Sequence, residues 1–206
     1  MILRPSSRED LSAGLEAANK AGERVDGFDL ASLAAIVRHT PEDMTVCVEA
    51  GATLDALQSR LRKGGQWLPV DPPRSETLTI GALLAGNRSG PRRLGYGTVR
   101  EHLLGIQVAL ADGRLIKAGG NVVKNVAGYD LCKLFVGSRG ALGCIIEATF
   151  KLRPLSEKEQ FLRVDCATLD EAEKLLERTL ESELTPVVLD LLGGVPAAGG
   201  ADKSSP

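Results

Sequence analysis

The sequence predicts an α+β fold: two small subdomains with mixed sheets, then a short β–α–β appendage. Three observations carry that reading. Strand-like patterning occurs at Met44–Glu49, at Leu104–Leu110 with Leu115–Ala118, and at Ile145–Leu152, each run bounded by glycine or proline. Apolar residues recur at helical spacing in Ser7–Ala21, with Leu11, Leu15 and Ala18 on one side, and again in Leu169–Leu180. Asp71-Pro72-Pro73 interrupts the chain and marks a subdomain boundary. The expected organisation is therefore 1–70, 71–154, an appendage at 155–192, and a low-complexity tail at 193–206 that is expected to be disordered.

Taken in order, Leu30–Val37 is apolar and fits either helix or strand. Met44–Glu49 alternates as a strand and closes at Gly51. Thr53 is placed to cap a helix through Leu61 that ends at Gly64-Gly65. Ile80–Ala85 reads as a short helix, and residues 87–98 as a polar glycine-rich loop. Ala111-Asp112-Gly113 is a hairpin turn between two strands. Beyond Pro154, Phe161–Cys166 and Pro186–Leu192 read as strands around the Leu169–Leu180 helix.

Composition narrows the function. Among 206 residues, 43% are hydrophobic, which suits an ordinary core, and the net charge of −2 gives nucleic acid no basic face to bind. No apolar run reaches the length of a membrane span, and the first residues lack a leader's apolar centre, so a cytoplasmic protein without a transmembrane segment is expected. Cys47, Cys132, Cys144 and Cys166 are widely spaced and the chain has 2 histidines, so no metal site is expected. Cys47 and Cys144 read as buried apolar residues.

Two segments are rich in chemistry. The first, DPPRSETLTIGALLAGNRSGPRRLGYG (residues 71–97), sets Thr79-Ile80-Gly81 at a helix start, where N–H groups and a hydroxyl suit an anion. It also clusters Arg88, Arg92 and Arg93; the alternative is a solvated arginine loop. The second, GGNVVKNVAGYDLCKLFVGSRGALGCIIE (residues 119–147), is a glycine-rich loop. A helix follows from about Asp130, then Gly137, Gly140 and Gly143 at three-residue spacing, then a β-rich run. Such glycines admit close backbone approach to a ligand, or serve packing in a tight turn. No Rossmann or P-loop fingerprint is present.

Together these segments, with VEAGATLDALQSRL and GQWLPVDPP before them, resemble the FAD-binding domain of the vanillyl-alcohol oxidase-like (PCMH-type) flavoproteins. Within that family the similarity is greatest to the FAD-binding subunit of bacterial glycolate oxidases, and it covers roughly residues 44–154. The resemblance implies a two-subdomain PCMH-type fold with FAD between the subdomains and a cap domain over the flavin. It implies that Pro72 shapes the cofactor wall and that Thr79, Ile80, Gly81, Asn87, Gly90 and Gly97 line FAD from one side. Gly140, Gly143 and Ile145 line it from another, mainly through backbone groups. Arg92, Arg93 and Lys124 are the cations placed to tune a flavin, and Tyr129 is either a ligand contact or a packed ring.

Three departures from the family accompany the resemblance. The glycine-rich loop that cradles the FAD pyrophosphate is deleted, since residues 21–29 run directly into Leu30-Ala31-Ser32-Leu33. The cap is cut to one β–α–β unit. Ala82 stands where the family often has glycine. His102 is expected at or half beneath the surface, away from any flavin attachment. Two functional readings follow. One is an FAD-binding subunit of a glycolate oxidase-like 2-hydroxy-acid oxidoreductase, with flavoprotein and iron–sulfur partner subunits and a small 2-hydroxy acid as substrate. The other is a non-catalytic assembly subunit of such a complex, with weak or no FAD binding.

Overall fold

The computed structural model describes residues 1–120 and 131–193. In chain order the elements are β1 (Ile2–Leu3), α1 (Arg8–Ala21), β2 (Gly27–Phe28), β3 (Ile36–Thr40), β4 (Thr45–Glu49), α2 (Leu54–Arg62) and β5 (Gln66–Trp67). There follow α3 (Ile80–Ala85), α4 (Arg93–Tyr96), α5 (Val99–His102), β6 (Leu103–Ala109), β7 (Leu115–Gly119), α6 (Leu131–Phe135), β8 (Cys144–Lys151), β9 (Arg153–Pro154) and α7 (Leu169–Glu181).

The centre is a five-stranded antiparallel sheet, ordered β3-β4-β8-β6-β7. It draws strands from both sides of Asp71-Pro72-Pro73. A parallel pair, β1–β2, lies on either side of α1 in the chain, and β5 pairs with β9. The ambiguous stretch before Val37 resolves at Ile36–Thr40, where β3 pairs with β4. The hairpin forms as expected, Leu110 N–H donating to Arg114 O at 2.9 Å across the Asp112-Gly113 turn.

One face of the sheet carries the main core. Val46, Val48, Ile106, Val108, Ala148 and Phe150 pack there with Leu54, Leu57 and Leu61 of α2 and with Ile80, Leu83 and Leu84 of α3. Thr53 caps α2 by accepting Ala56 N–H at 3.2 Å. The other face receives α1, capped by Ser7, whose Leu11 and Leu15 meet Ala109, Cys144 and Ile146. The strand register shifts between Gln107 and Val108, which face Glu147 and Ile145. That extra residue lets both Ile146 and Glu147 serve the α1 face.

The appendage differs from expectation. Its helix forms as α7, but Phe161–Cys166 and Pro186–Leu192 pair with no strand. Strand patterning is realised only against a partner edge, and among the described residues none lies beside them; Phe161 and Leu162 remain 81% and 87% exposed. The expected disordered tail lies, from residue 194, outside the described residues. Among the described residues no helix is long and apolar enough to cross a membrane.

Candidate functional site

The residues expected to line a cofactor fall into two groups. The first gathers at one end of the sheet, around Ala50. Ala50 N–H donates to Ile146 O at 2.9 Å and Ala50 O accepts from Gly81 N–H at 2.8 Å. This ties the start of β8, with Gly143 and Ile145, to the start of α3, with Thr79, Ile80 and Gly81. The far end of α3 holds the next loop, Leu84 O accepting from Gly137 N–H and Ala85 O from Arg139 N–H, both at 2.9 Å. Asn87 adjoins that loop, since a β-carbon on Gly137 would stand 3.6 Å from Asn87 Cβ. The two glycine-rich segments thus meet through backbone bonds about α3.

The start of α3 is not an open anion site. Ile80 N–H is spent on Ala52 O at 2.9 Å, Gly81 N–H on Ala50 O, Ala82 N–H on Thr79 Oγ1 at 3.2 Å, and Leu83 N–H on Thr79 O at 2.8 Å. These are the donors that a helix start would otherwise present. The side chains of Ile80 and Ile145, 0% and 5% exposed, belong to the core, so either residue reaches a ligand only through its backbone. Gly143 is required by its neighbours, because a β-carbon would meet Ala109 O at 2.7 Å. Gly140 differs: at φ 81° it has nothing within 4 Å of a β-carbon position. Two residues before it in the chain, the Ser138 hydroxyl is buried and has no hydrogen-bond partner among the described residues.

The second group is Pro72, Gly90 and Gly97. A β-carbon on Gly90 would lie 2.0 Å from Asp71 O, so the 87–97 loop presses against the Asp71-Pro72 turn. Pro72 is buried and lines a groove of about 560 Å³ with Trp67, Val70, Arg92 and Glu159. Gly97 faces Glu101, which caps α5 by accepting Thr98 N–H at 2.5 Å. Arg92 is not a free cation: its guanidinium forks onto Glu159 at 2.8 and 2.8 Å and lies 4.9 Å above the Trp67 ring. Its charge is therefore neutralised locally. Arg93 is exposed, and Lys124 and Tyr129 lie outside the described residues.

The phosphate side is different in character. Residues 29–35, which directly follow the stretch 21–29 at which the resemblance implies a deleted pyrophosphate loop, turn their donors inward. Asp29 N–H goes to Leu3 O at 2.9 Å, Ala31 N–H to Asp29 Oδ1 at 3.2 Å, Leu33 N–H to Leu30 O at 2.8 Å, and Ala35 N–H to Glu49 Oε2 at 2.9 Å. Two of the four acceptors are carboxylates, which repel a diphosphate. The sheet-end elements fit the flavin side of FAD, and this link does not fit its phosphates.

His102, expected at or half beneath the surface, is 5% exposed, and its Nε2 has no partner among the described residues. Burial holds its pKa below the ordinary 6.5. Both states are neutral above that value; below it the unfolded chain takes up a proton that the folded one resists, so stability falls as pH drops from about 6.5 through the lower folded value. Each unit of depression is about 1.4 kcal/mol. The His102→Phe variant should lose part of this acid sensitivity, read from urea midpoints between about pH 7 and pH 5. An unchanged pH slope would refute the assignment.

Sequence reasoning also missed a polar cluster on the α1 face. Arg8 donates from Nη2 to Glu49 at 3.1 Å and Glu147 at 2.7 Å, and from Nη1 to Gln107 at 2.8 Å. Those partners lie 41, 139 and 99 residues away, so no local pattern announces them.

Comparison with known proteins agrees with this geometry. Residues 27–119 match the FAD binding domain family. The chain is 37% identical over 152 residues to glycolate oxidase subunit GlcD of Bacillus subtilis, covering 73% of this chain and 32% of that protein. It is 35% identical to glycolate oxidase subunit GlcE of Escherichia coli, covering 71% and 42%, and 33% identical to a D-lactate dehydrogenase of Archaeoglobus fulgidus, covering 84% and 43%. The chain thus spans less than half the length of each of these relatives. Among solved structures, an alkyldihydroxyacetonephosphate synthase superposes with a TM-score of 0.64 over 76% of this chain and 32% of that one, at 22% identity. That likeness concerns the fold.

Proposed function

We propose, since residues 27–119 match the FAD binding domain family, that this chain is the FAD-binding subunit of a glycolate oxidase-like 2-hydroxy-acid oxidoreductase. The observation that carries it is the meeting of both glycine-rich segments about α3. When bound, the flavin supplies a two-electron acceptor for the α-carbon of a hydroxy acid. The chain's own part is positioning. The backbone at Gly81, Gly143 and Ile145 is immobilised by the core, and Pro72 with the 87–97 loop forms a wall. No histidine or glutamate stands where the family motif would put a base. The partners this reading implies are flavoprotein and iron–sulfur subunits of such a complex.

A second reading is favoured by the link at residues 29–35. With its donors spent and two carboxylates beside it, the phosphates lose charge-assisted bonds worth about 1.5–3 kcal/mol each, and two such losses weaken binding by about 100-fold or more. On that reading the chain is an assembly subunit that holds FAD weakly or not at all. Titrating purified protein with FAD decides between them. The flavoprotein reading expects protein-bound flavin absorbance and a rise in unfolding temperature. A protein that stays colourless and gains no thermal stability at saturating FAD is an assembly subunit.

A further inference from the structure

Residues 155–193 hold their place with little apolar burial. Ala172 is buried, whereas Leu169 and Leu180 of α7 are 76% and 64% exposed, as are Phe161 and Leu162 before it. Hydrophobic contact is therefore a minor restraint on this segment. Besides Leu155 N–H on Gly65 O at its start, at 2.9 Å, two polar contacts restrain it, and both end on the same short stretch of the 87–97 loop.

The first is the fork from Arg92 to Glu159, with both bonds at 2.8 Å. Arg92 is a rigid anchor. Its backbone N–H donates to the Asp71 carboxylate at 3.1 and 3.2 Å, and its guanidinium sits over Trp67, which meets Tyr96 edge-on at 5.2 Å. The Arg92 bonds hold the Glu159 carboxyl below its ordinary pKa, as a formed ion pair should. The second contact is Gly95 N–H donating to Val187 O at 3.2 Å. Gly95 is not among the glycines with positive φ, so its backbone does not require glycine. Its neighbour does: a β-carbon there would lie 2.6 Å from Val187 Cα. The bare Cα of Gly95 is the seat for Val187.

We infer that residues 159–187 form a strap clipped at both ends to the 87–97 loop, and that the clip sets how firmly this loop retains FAD. The coupling half of this statement rests on the cofactor reading above. The loop's own helix, α4, is one turn long with no buried residue, so beyond the Arg92, Gly90 and Tyr96 contacts it has little to hold it closed. Unclipping either end raises the open fraction of the loop, and retention falls in proportion to the closed fraction.

Two variants act on the two ends independently. Glu159→Gln removes the charge but keeps the shape, and Gly95→Ala expels Val187. Two readouts are needed: the rate of tryptic cleavage at Arg163, Lys174 and Arg178, and the rate of FAD release after rapid dilution. Faster cleavage is expected, about three- to fivefold for Glu159→Gln as an exposed pair and about tenfold for Gly95→Ala as an overpacked contact. FAD release should accelerate in the same order. Unchanged cleavage in both variants overturns the clip. Faster cleavage with unchanged FAD release overturns the coupling. If the unaltered protein takes up no FAD, the cofactor reading and the coupling fail together, while proteolysis still decides the clip.

Discussion

Replacing Gly51 by alanine should destabilise the protein by about 3 kcal/mol or more, at the upper end of overpacking costs. The new β-carbon would lie 1.9 Å from Leu30 O and 2.7 Å from Leu33 O. Both obstacles are backbone atoms, so no rotamer change relieves them. Neither side can retreat. Gly51 N–H is bonded to Leu33 O at 2.8 Å, while the preceding Ala50 is held by Ile146 O at 2.9 Å and by Gly81 N–H at 2.8 Å. For a chain of this size the loss lowers the unfolding temperature by about 6–12 °C. Gly14→Ala is the matched control. It sits within α1, where a β-carbon would meet only the Leu3 side chain at 3.4 Å, and alanine there should be neutral or stabilising by about 0.5–1 kcal/mol. Equal urea midpoints for the Gly51 variant and the parent would sink the argument. The position matters because the Leu30–Leu33 turn packs directly against it, and Gly51 is the reason the turn can come so close.

The second large effect is expected from Arg8→Met. Glu49 and Glu147 are direct cross-strand partners, with side chains 13% and 17% exposed, and Arg8 is the cation between them. Removing one member of a buried ion cluster costs about 3–5 kcal/mol; this cluster is partly solvated, so about 2–4 kcal/mol is expected. Arg8→Lys should recover only part, because a point charge does not reproduce a planar fork that serves three acceptors on three strands. Adding Glu147→Gln to Arg8→Met removes the like-charge pair and should restore more than half of the loss. If that double variant is no more stable than Arg8→Met alone, the repulsion account is wrong and the loss is one of packing. Chemical denaturation of the parent, Arg8→Met, Glu147→Gln and the double variant decides it as a double-mutant cycle.

Much of this molecule was legible locally. Ser7 and Thr53 cap the helices that their spacing implies, and Asp112-Gly113 turns the hairpin. Cys47 and Cys144 are buried, with the Cys144 thiol pushed to about 12 by desolvation. The caps and the turn depend on neighbours within a few residues, which is the range over which capping and turn chemistry act. The appendage shows the limit of such reasoning, because Phe161–Cys166 has a strand's pattern but no edge to complete it. His102 shows another, since burial is decided by what packs over a one-turn helix.

The glycine-rich segments, with the motifs before them, carried the resemblance to the FAD binding domain family that residues 27–119 match. Only the tertiary structure decided what those glycines and donors are used for. Gly81, Gly90 and Gly143 answer to Ala50, Asp71 and Ala109, and the donors at the start of α3 and along residues 29–35 are spent within the protein. A donor's availability depends on acceptors that are distant in the chain, so it enters only once the strands have closed.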